Sequence, residues 1–133
     1  MAKDRKFHAP KGVSKATGYS HAVSTSGKTT IYVSGQVSFD AEGTMVGVGD
    51  FEAQTRQVFA NLKAVLKDAG ASFSDVVKMT TYIVNYTPEV RPTLAAIRAE
   101  FLPAKNPPAS TLVGVQALAL DGLMIEIEAI AVI

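Results

Sequence analysis

The stretch Leu123-Met124-Ile125-Glu126-Ile127-Glu128-Ala129-Ile130-Ala131-Val132-Ile133 decides how this chain folds. Side chains of a strand alternate between two faces. Leu123, Ile125, Ile127, Ala129 and Ala131 therefore share one apolar face, and Met124, Glu126, Glu128, Ile130 and Val132 share the other. The first face needs a covering layer of helices. The second carries two carboxylates about 7 Å apart, twice the per-residue rise of a strand. Such a pair is either a solvated, ion-paired surface or a site where one carboxylate works as an acid or base. The strand alone leaves both readings open.

Two helices are available to cover the apolar face. Val58, Leu62, Val65, Leu66 and Ala69 recur at helical spacing, with Asp50 as N-cap, Glu52 in the first turn and Gly70 as the stop. Val90, Leu94, Ile97 and Phe101 form the stripe of a second helix, entered through Thr87-Pro88 and ended by Pro103. Residues 75–84 are β-prone, and 109–117 form another strand. Nearer the start, 20–25 and 29–37 are expected as two strands around a hairpin-like turn at Ser26-Gly27-Lys28. Residues 1–18 look like an irregular arm, and 40–49 like a glycine-rich loop with a short edge strand near Met45-Val46. The order β-β-α-β-α-β-β predicts one α+β domain over 1–133, a mixed or antiparallel sheet with both helices on one face.

Composition excludes several functions. The 133 residues suit one domain, and 47% apolar content argues against disorder. There is no cysteine, so disulfides, thiolate metal sites and a cysteine nucleophile are ruled out. His8 and His21 are too few for an ordinary zinc site, so no metal is expected. The net charge of +1 is no footprint for nucleic acid. No apolar h-region follows Met1–Lys6, and no stretch reaches the ~18 apolar residues of a membrane span, so a soluble cytoplasmic protein is expected.

Other polar groupings are candidates for binding. Arg91, Ala95 and Arg98 fall at i, i+4 and i+7 beside the core stripe of the second helix. Two arginines there suit a carboxylate or phosphate, or form a solvated flank. Ser34-Gly35-Gln36 follows a strong strand, where glycine permits close backbone approach. Pro107-Pro108-Ala109-Ser110-Thr111 brings two hydroxyls into a strand, or is turn chemistry alone. No P-loop, nucleophile elbow or dinucleotide fingerprint is present.

Several segments in order resemble the YjgF/RidA family, also called L-PSP endoribonucleases, from about Tyr19 to Val132. They include Tyr19-Ser20-His21-Ala22-Val23, Val33-Ser34-Gly35-Gln36-Val37, Ala53-Gln54-Thr55-Arg56-Gln57-Val58, Asn61-Leu62-Lys63-Ala64-Val65-Leu66, Asp75-Val76-Val77-Lys78 and Ile125-Glu126-Ile127-Glu128-Ala129-Ile130-Ala131-Val132. The resemblance implies a chorismate-mutase-like fold and a homotrimer with small-molecule clefts between subunits. It implies hydrolysis of enamine/imine intermediates with release of ammonia, using no cofactor. Glu126 matches the glutamate that activates water. Tyr19 matches the aromatic wall, Ser34 matches the serine after the second strand and Thr111 the hydroxyl on the closing sheet; Gly35 and Ser110 beside them are further candidates for binding. Two positions depart from the deaminase group. Its arginine before the Ser-Thr pair is Ala109 here, and its asparagine on the second helix is Ala95. Loss of a forked contact to a substrate carboxylate costs on the order of 2–4 kcal/mol. Arg98 is the candidate to replace it in part, for an altered substrate. A small-molecule-binding or regulatory trimer without catalysis is the alternative, and an endoribonuclease is a further one.

Overall fold

The computed structural model describes residues 4–27 and 29–133. Its strands are β1 (Asp4–His8), β2 (Ala22–Ser26), β3 (Thr30–Gln36), β4 (Val76–Val84), β5 (Ala109–Val115) and β6 (Ile125–Val132). The helices are α1 (Phe51–Asp68) between β3 and β4, and α2 (Arg91–Phe101) between β4 and β5. The main sheet has the order β3-β6-β4-β5. β6 runs antiparallel to both neighbours, and β4 and β5 are parallel across the α2 crossover. This is an α+β, chorismate-mutase-like fold with the helices on one face of a mixed sheet.

β6 is central and its alternation is realised as far as Ala131; Val132, read on the other face, is buried as well. Leu123, Ile125, Ile127, Ala129 and Ala131 are all buried, and all but Leu123 share one core cluster with Val58, Phe59, Leu62, Leu66, Leu94 and Ile97 of the helices. Each large buried aliphatic side chain contributes about 1.5–3 kcal/mol. On α1 the buried line is Thr55, Val58, Phe59, Leu62 and Leu66. Val65 stays 37% exposed, because Leu66 already occupies the core-facing position of that turn. Phe59 stacks on Phe101 at 5.2 Å between ring centroids, which ties α1 to α2.

The ends of α1 follow from its sequence. Asp50 accepts a hydrogen bond from the Ala53 amide at 3.0 Å. At the other end the Ala71 amide reaches the Leu66 carbonyl and the Gly70 amide reaches Lys67, with Gly70 at φ +81. That paired closure needs a left-handed residue, and glycine takes it without a Cβ penalty. Gln54 is fully buried and acts as a clamp. It donates to the carbonyls of Gly47 and Gly122 and accepts from the Met124 amide at 2.8 Å, fixing the entry into β6.

The beginning of the chain departs from expectation. β2 and β3 lie where two strands were read, but they do not form a hairpin pair; Lys28 of the expected turn lies outside the described residues. β2 pairs with β1, a strand inside the segment read as an irregular arm, as a separate two-stranded ribbon. β3 gives its ladder to β6 instead, and Thr29 exchanges backbone hydrogen bonds with Ile133 at that junction. β1 was illegible because Asp-Arg-Lys-Phe-His has no apolar alternation. Its anchor is polar. Arg5, with its side chain 11% exposed, pairs with Asp75 at 3.9 Å and donates to the carbonyls of Asp75 and Val132.

Asp75 keeps the Ser72 amide as a donor at 2.8 Å when Arg5 is removed, so the loss falls short of the about 3–5 kcal/mol that stranding a fully unpaired buried charge costs. Chemical denaturation of Arg5→Ala is expected to show a loss of about 2–4 kcal/mol, with earlier proteolysis within the ribbon. An unchanged midpoint and unchanged proteolysis would contradict the anchor.

Candidate functional site

The face of the sheet opposite the helices carries Tyr32 and Ser34 from β3, Glu126 and Glu128 from β6, Lys78, Thr80 and Tyr82 from β4, and Thr111 from β5. Register decides their neighbours. Tyr82 stands opposite Glu126, Thr80 lies between Glu128 and Thr111, and Lys78 lies between Ile130 and Ala109. Tyr32 is 77% exposed, so this face is largely open in the single chain.

The two carboxylates differ in what holds them. Glu128 is exposed and accepts from the Tyr82 hydroxyl at 2.6 Å. That bond, with burial and the charges of Glu128 and Glu126, raises the Tyr82 phenol above its ordinary range. Glu126 is half-buried, and no hydrogen-bond donor among the described residues is paired with it. Its carboxylate lies directly on Gly35, where an added Cβ would collide with Oε2. The β3 register slips by one residue between Val33 and Gln36, so Ser34-Gly35 form a bulge beside this carboxylate. A bulge of this kind redirects backbone and side chains next to it. Ser34 is exposed on the same face, in a depression of about 190 Å³ that also takes in Tyr32, Lys78, Thr80 and Glu128. The Thr111 hydroxyl accepts from Lys78 Nζ at 2.5 Å.

Tyr19, Arg98 and Ser110 lie elsewhere. Together with Arg91, Ala95, Tyr86 and Leu94 they line a cavity of about 440 Å³ between α2, the edge strand β5 and the loop before β2. That loop is tied to β5, because the Ser20 amide donates to the Pro108 carbonyl and Ser20 Oγ donates to Pro107 at 2.6 Å. His21 donates from Nε2 to the Ser14 carbonyl and packs edge-on to Tyr19 at 5.5 Å. His8 pairs with Ser24 in the ribbon. Both histidines are thus engaged in shaping the loop and the ribbon. Arg98 donates to Ser110 Oγ and to the Gly18 carbonyl, each at 3.3 Å, and burial lowers its pKa.

The sequence-predicted residues therefore form two groups within one chain. Ser110 is in register with Met79, and Met79 with Ala129, three residues from Glu126 on the strand two places over. Three residue rises and two strand spacings put Ser110, which Arg98 contacts, about 14 Å from Glu126 in the plane of the sheet, and the two side chains leave it on opposite faces. Lys78 escaped the sequence reading. Its signal was register: it is the cation in line with Ala109 on the face of Glu126. A separate apolar concavity of about 490 Å³ near Phe73 and Phe101 holds two lysines but no acid, base or nucleophile set. Among the described residues no group of three or more His, Asp or Glu side chains could hold a metal, and no helix is long and apolar enough to cross a membrane.

A chorismate-mutase-like sheet with a glutamate seated on a glycine bulge defines the class, and comparison with known proteins defines the family. The family model for endoribonuclease L-PSP matches residues 9–133, and the chain belongs to this YjgF/RidA family. It is 36% identical to a RutC family protein of Pyrococcus abyssi, over 98% of each chain. It is also 36% identical to the 2-iminobutanoate/2-iminopropanoate deaminase of Dermatophagoides farinae, over 86% of this chain and 85% of that one. Among solved structures, the Rid-family protein YyfB of Yersinia pestis superposes with a TM-score of 0.91 at 43% identity, covering 97% of this chain and 98% of that one. RidA of a Psychrobacter species superposes at 0.69 with 34% identity, covering 96% and 98%.

Gly35→Ala tests the seat of Glu126. The clash runs along the Glu126 side chain from Oε2 back to Cγ, so the side chain must change rotamer and a loss of about 1–2 kcal/mol is expected. A crystal structure of the variant is expected to show the carboxylate displaced from the bulge. A carboxylate that keeps its place in the Gly35→Ala variant would refute the contact.

Proposed function

We propose that the protein is an enamine/imine hydrolase that releases ammonia from reactive imino intermediates and acts in the cytoplasm. The observation that carries this reading is the asymmetry of the two carboxylates. Glu128 is held by Tyr82, whereas Glu126 is half-buried, without a hydrogen-bonding partner among the described residues, and seated on backbone at Gly35. A carboxylate in that state can accept a proton from water at an adjacent electrophilic carbon. The relative named 2-iminobutanoate/2-iminopropanoate deaminase supports the reaction class.

The chemistry is short. Water adds to the imine carbon while Glu126 takes one of its protons. The carbon–nitrogen π pair moves to nitrogen, which takes up the proton that Glu126 carries. The resulting amino alcohol passes its hydroxyl proton by way of Glu126 to the amine, which leaves as ammonia as the carbonyl forms. The net change is imine plus water to ketone plus ammonia. No redox step arises and no cofactor is required.

We place this reaction in clefts of a homotrimer. Arg98 and Glu126 lie on opposite faces of one sheet, so a substrate can touch both only across a boundary between copies. In this arrangement Arg98, with Tyr19 and Ser110, holds the substrate anion on one subunit. Glu126, with Ser34, Gly35 and Thr111, faces it from the neighbour. Ala109 favours a second reading, a trimer that binds small molecules without turning them over, because the strand supplies no guanidinium there. The near-neutral charge gives no support to RNA cleavage.

With imines generated in place and ammonia release followed, Glu126→Gln is expected to lower turnover by about 10²–10⁴-fold. Glu128→Gln is expected to stay within a few-fold of the parent. Equal losses in both variants, or none in Glu126→Gln, would remove Glu126 from its role. A parent with no turnover on any imine would leave the binding reading.

A further inference from the structure

We infer that the ligand of the α2 cavity is a dicarboxylate, held between Arg98 and Arg91, and, resting on the hydrolase reading above, that the substrate is a 2-imino acid whose side chain ends in a second carboxylate.

The chain has four arginines. Two are matched by carboxylates. Arg5 pairs with Asp75, and Arg56 pairs with Glu100 at 2.8 Å and Glu52 at 3.4 Å. Arg91 and Arg98 have no carboxylate within ion-pair distance among the described residues, and both line the same cavity. No acidic side chain is among the described residues that line it. Arg98 is half-buried, and among the described residues its guanidinium makes two long hydrogen bonds to neutral oxygens. A partly desolvated guanidinium without a counter-charge is an unfavourable arrangement that an anion relieves. Arg91 is exposed at the other end of the cavity, so one carboxylate relieves Arg98 and a second is what would engage Arg91.

Spacing and volume point the same way. Seven residues separate the two Cα atoms by about 10.5 Å along the helix axis. Side chains leaning inward from both ends shorten that gap to the length of a short dicarboxylate. Ala95 lies between them and leaves the middle open. Tyr19 and Tyr86 supply flat walls. The cavity, about 440 Å³, falls in the range of roughly 300–1,000 Å³ that holds drug-sized ligands, and it is more than a three- or four-carbon acid fills. The absence of a guanidinium at Ala109 fits a ligand gripped from α2 rather than from β5.

The test is calorimetric titration of the full-length protein with malonate, succinate, glutarate and adipate, against butanoate and pentanoate. Ammonia release from 2-iminoglutarate and 2-iminopropanoate is measured in parallel. One dicarboxylate of intermediate length is expected to bind at least about tenfold tighter than either monocarboxylate. Arg98→Ala is expected to abolish that preference. Arg91→Ala is expected to reduce it to the monocarboxylate level, and Arg56→Ala, whose partners lie elsewhere, to leave it intact. Equal affinity for mono- and dicarboxylates, a preference that survives Arg98→Ala, or no carboxylate binding at all would overturn the inference. An Arg98-dependent preference without turnover of either imine would uphold the dicarboxylate ligand while sinking the hydrolase reading. Turnover of 2-iminopropanoate without any dicarboxylate preference would do the reverse.

Discussion

The alternation of β6 is the constraint on which the rest of the molecule depends. Its odd-numbered residues from Leu123 to Ala131 must face the helices, because no other element can bury them. A slip of one residue would put Glu126 and Glu128 into the core and Ile125 and Ile127 into solvent, so the register is strongly specified. The same constraint sends both carboxylates to the open face. Gln54 reinforces it from the side by holding the Met124 amide at the point where the strand begins. The position of the proposed catalytic carboxylate is thus a by-product of core burial.

Much of this was legible in the sequence. The β6 stripe, the stripe of α2, the Asp50 cap and the Gly70 stop are local patterns, and each appears in the structure. The ribbon was not legible, because β1 is held by an ion pair to Asp75, seventy residues away in sequence. Short charged segments carry no periodicity that would announce such a partner. The pairing of β3 with β6 was hidden for a related reason. Adjacent strands in sequence usually pair, and only tertiary packing sends β3 to the last strand instead.

The candidate site was legible as a set of residues but not as a geometry. Glu126 and Glu128 are equivalent in the sequence, and Tyr82 separates them by engaging only one. Gly35 read as a place of close approach. What approaches is the Glu126 carboxylate, across a bulge that no local pattern shows. Arg98 and Glu126 both belong to the site read from the sequence, yet the sheet lies between them. This separation gives physical content to the proposed assembly. A lone chain presents a cavity lined by two arginines on one side and a carboxylate on the other, and neither alone completes the proposed site.

That composite arrangement is the central claim, and mixing variants tests it most directly. Arg98→Ala and Glu126→Gln subunits, each inactive or nearly so, would be unfolded together, refolded at equal ratio and assayed for ammonia release. In a cyclic assembly whose sites each draw Arg98 from one subunit and Glu126 from its neighbour, random mixing leaves about a quarter of the sites intact. Recovery of roughly that fraction of the parent rate is therefore expected for the same cyclic arrangement. Activity no greater than the sum of the two variants would contradict a site shared between subunits.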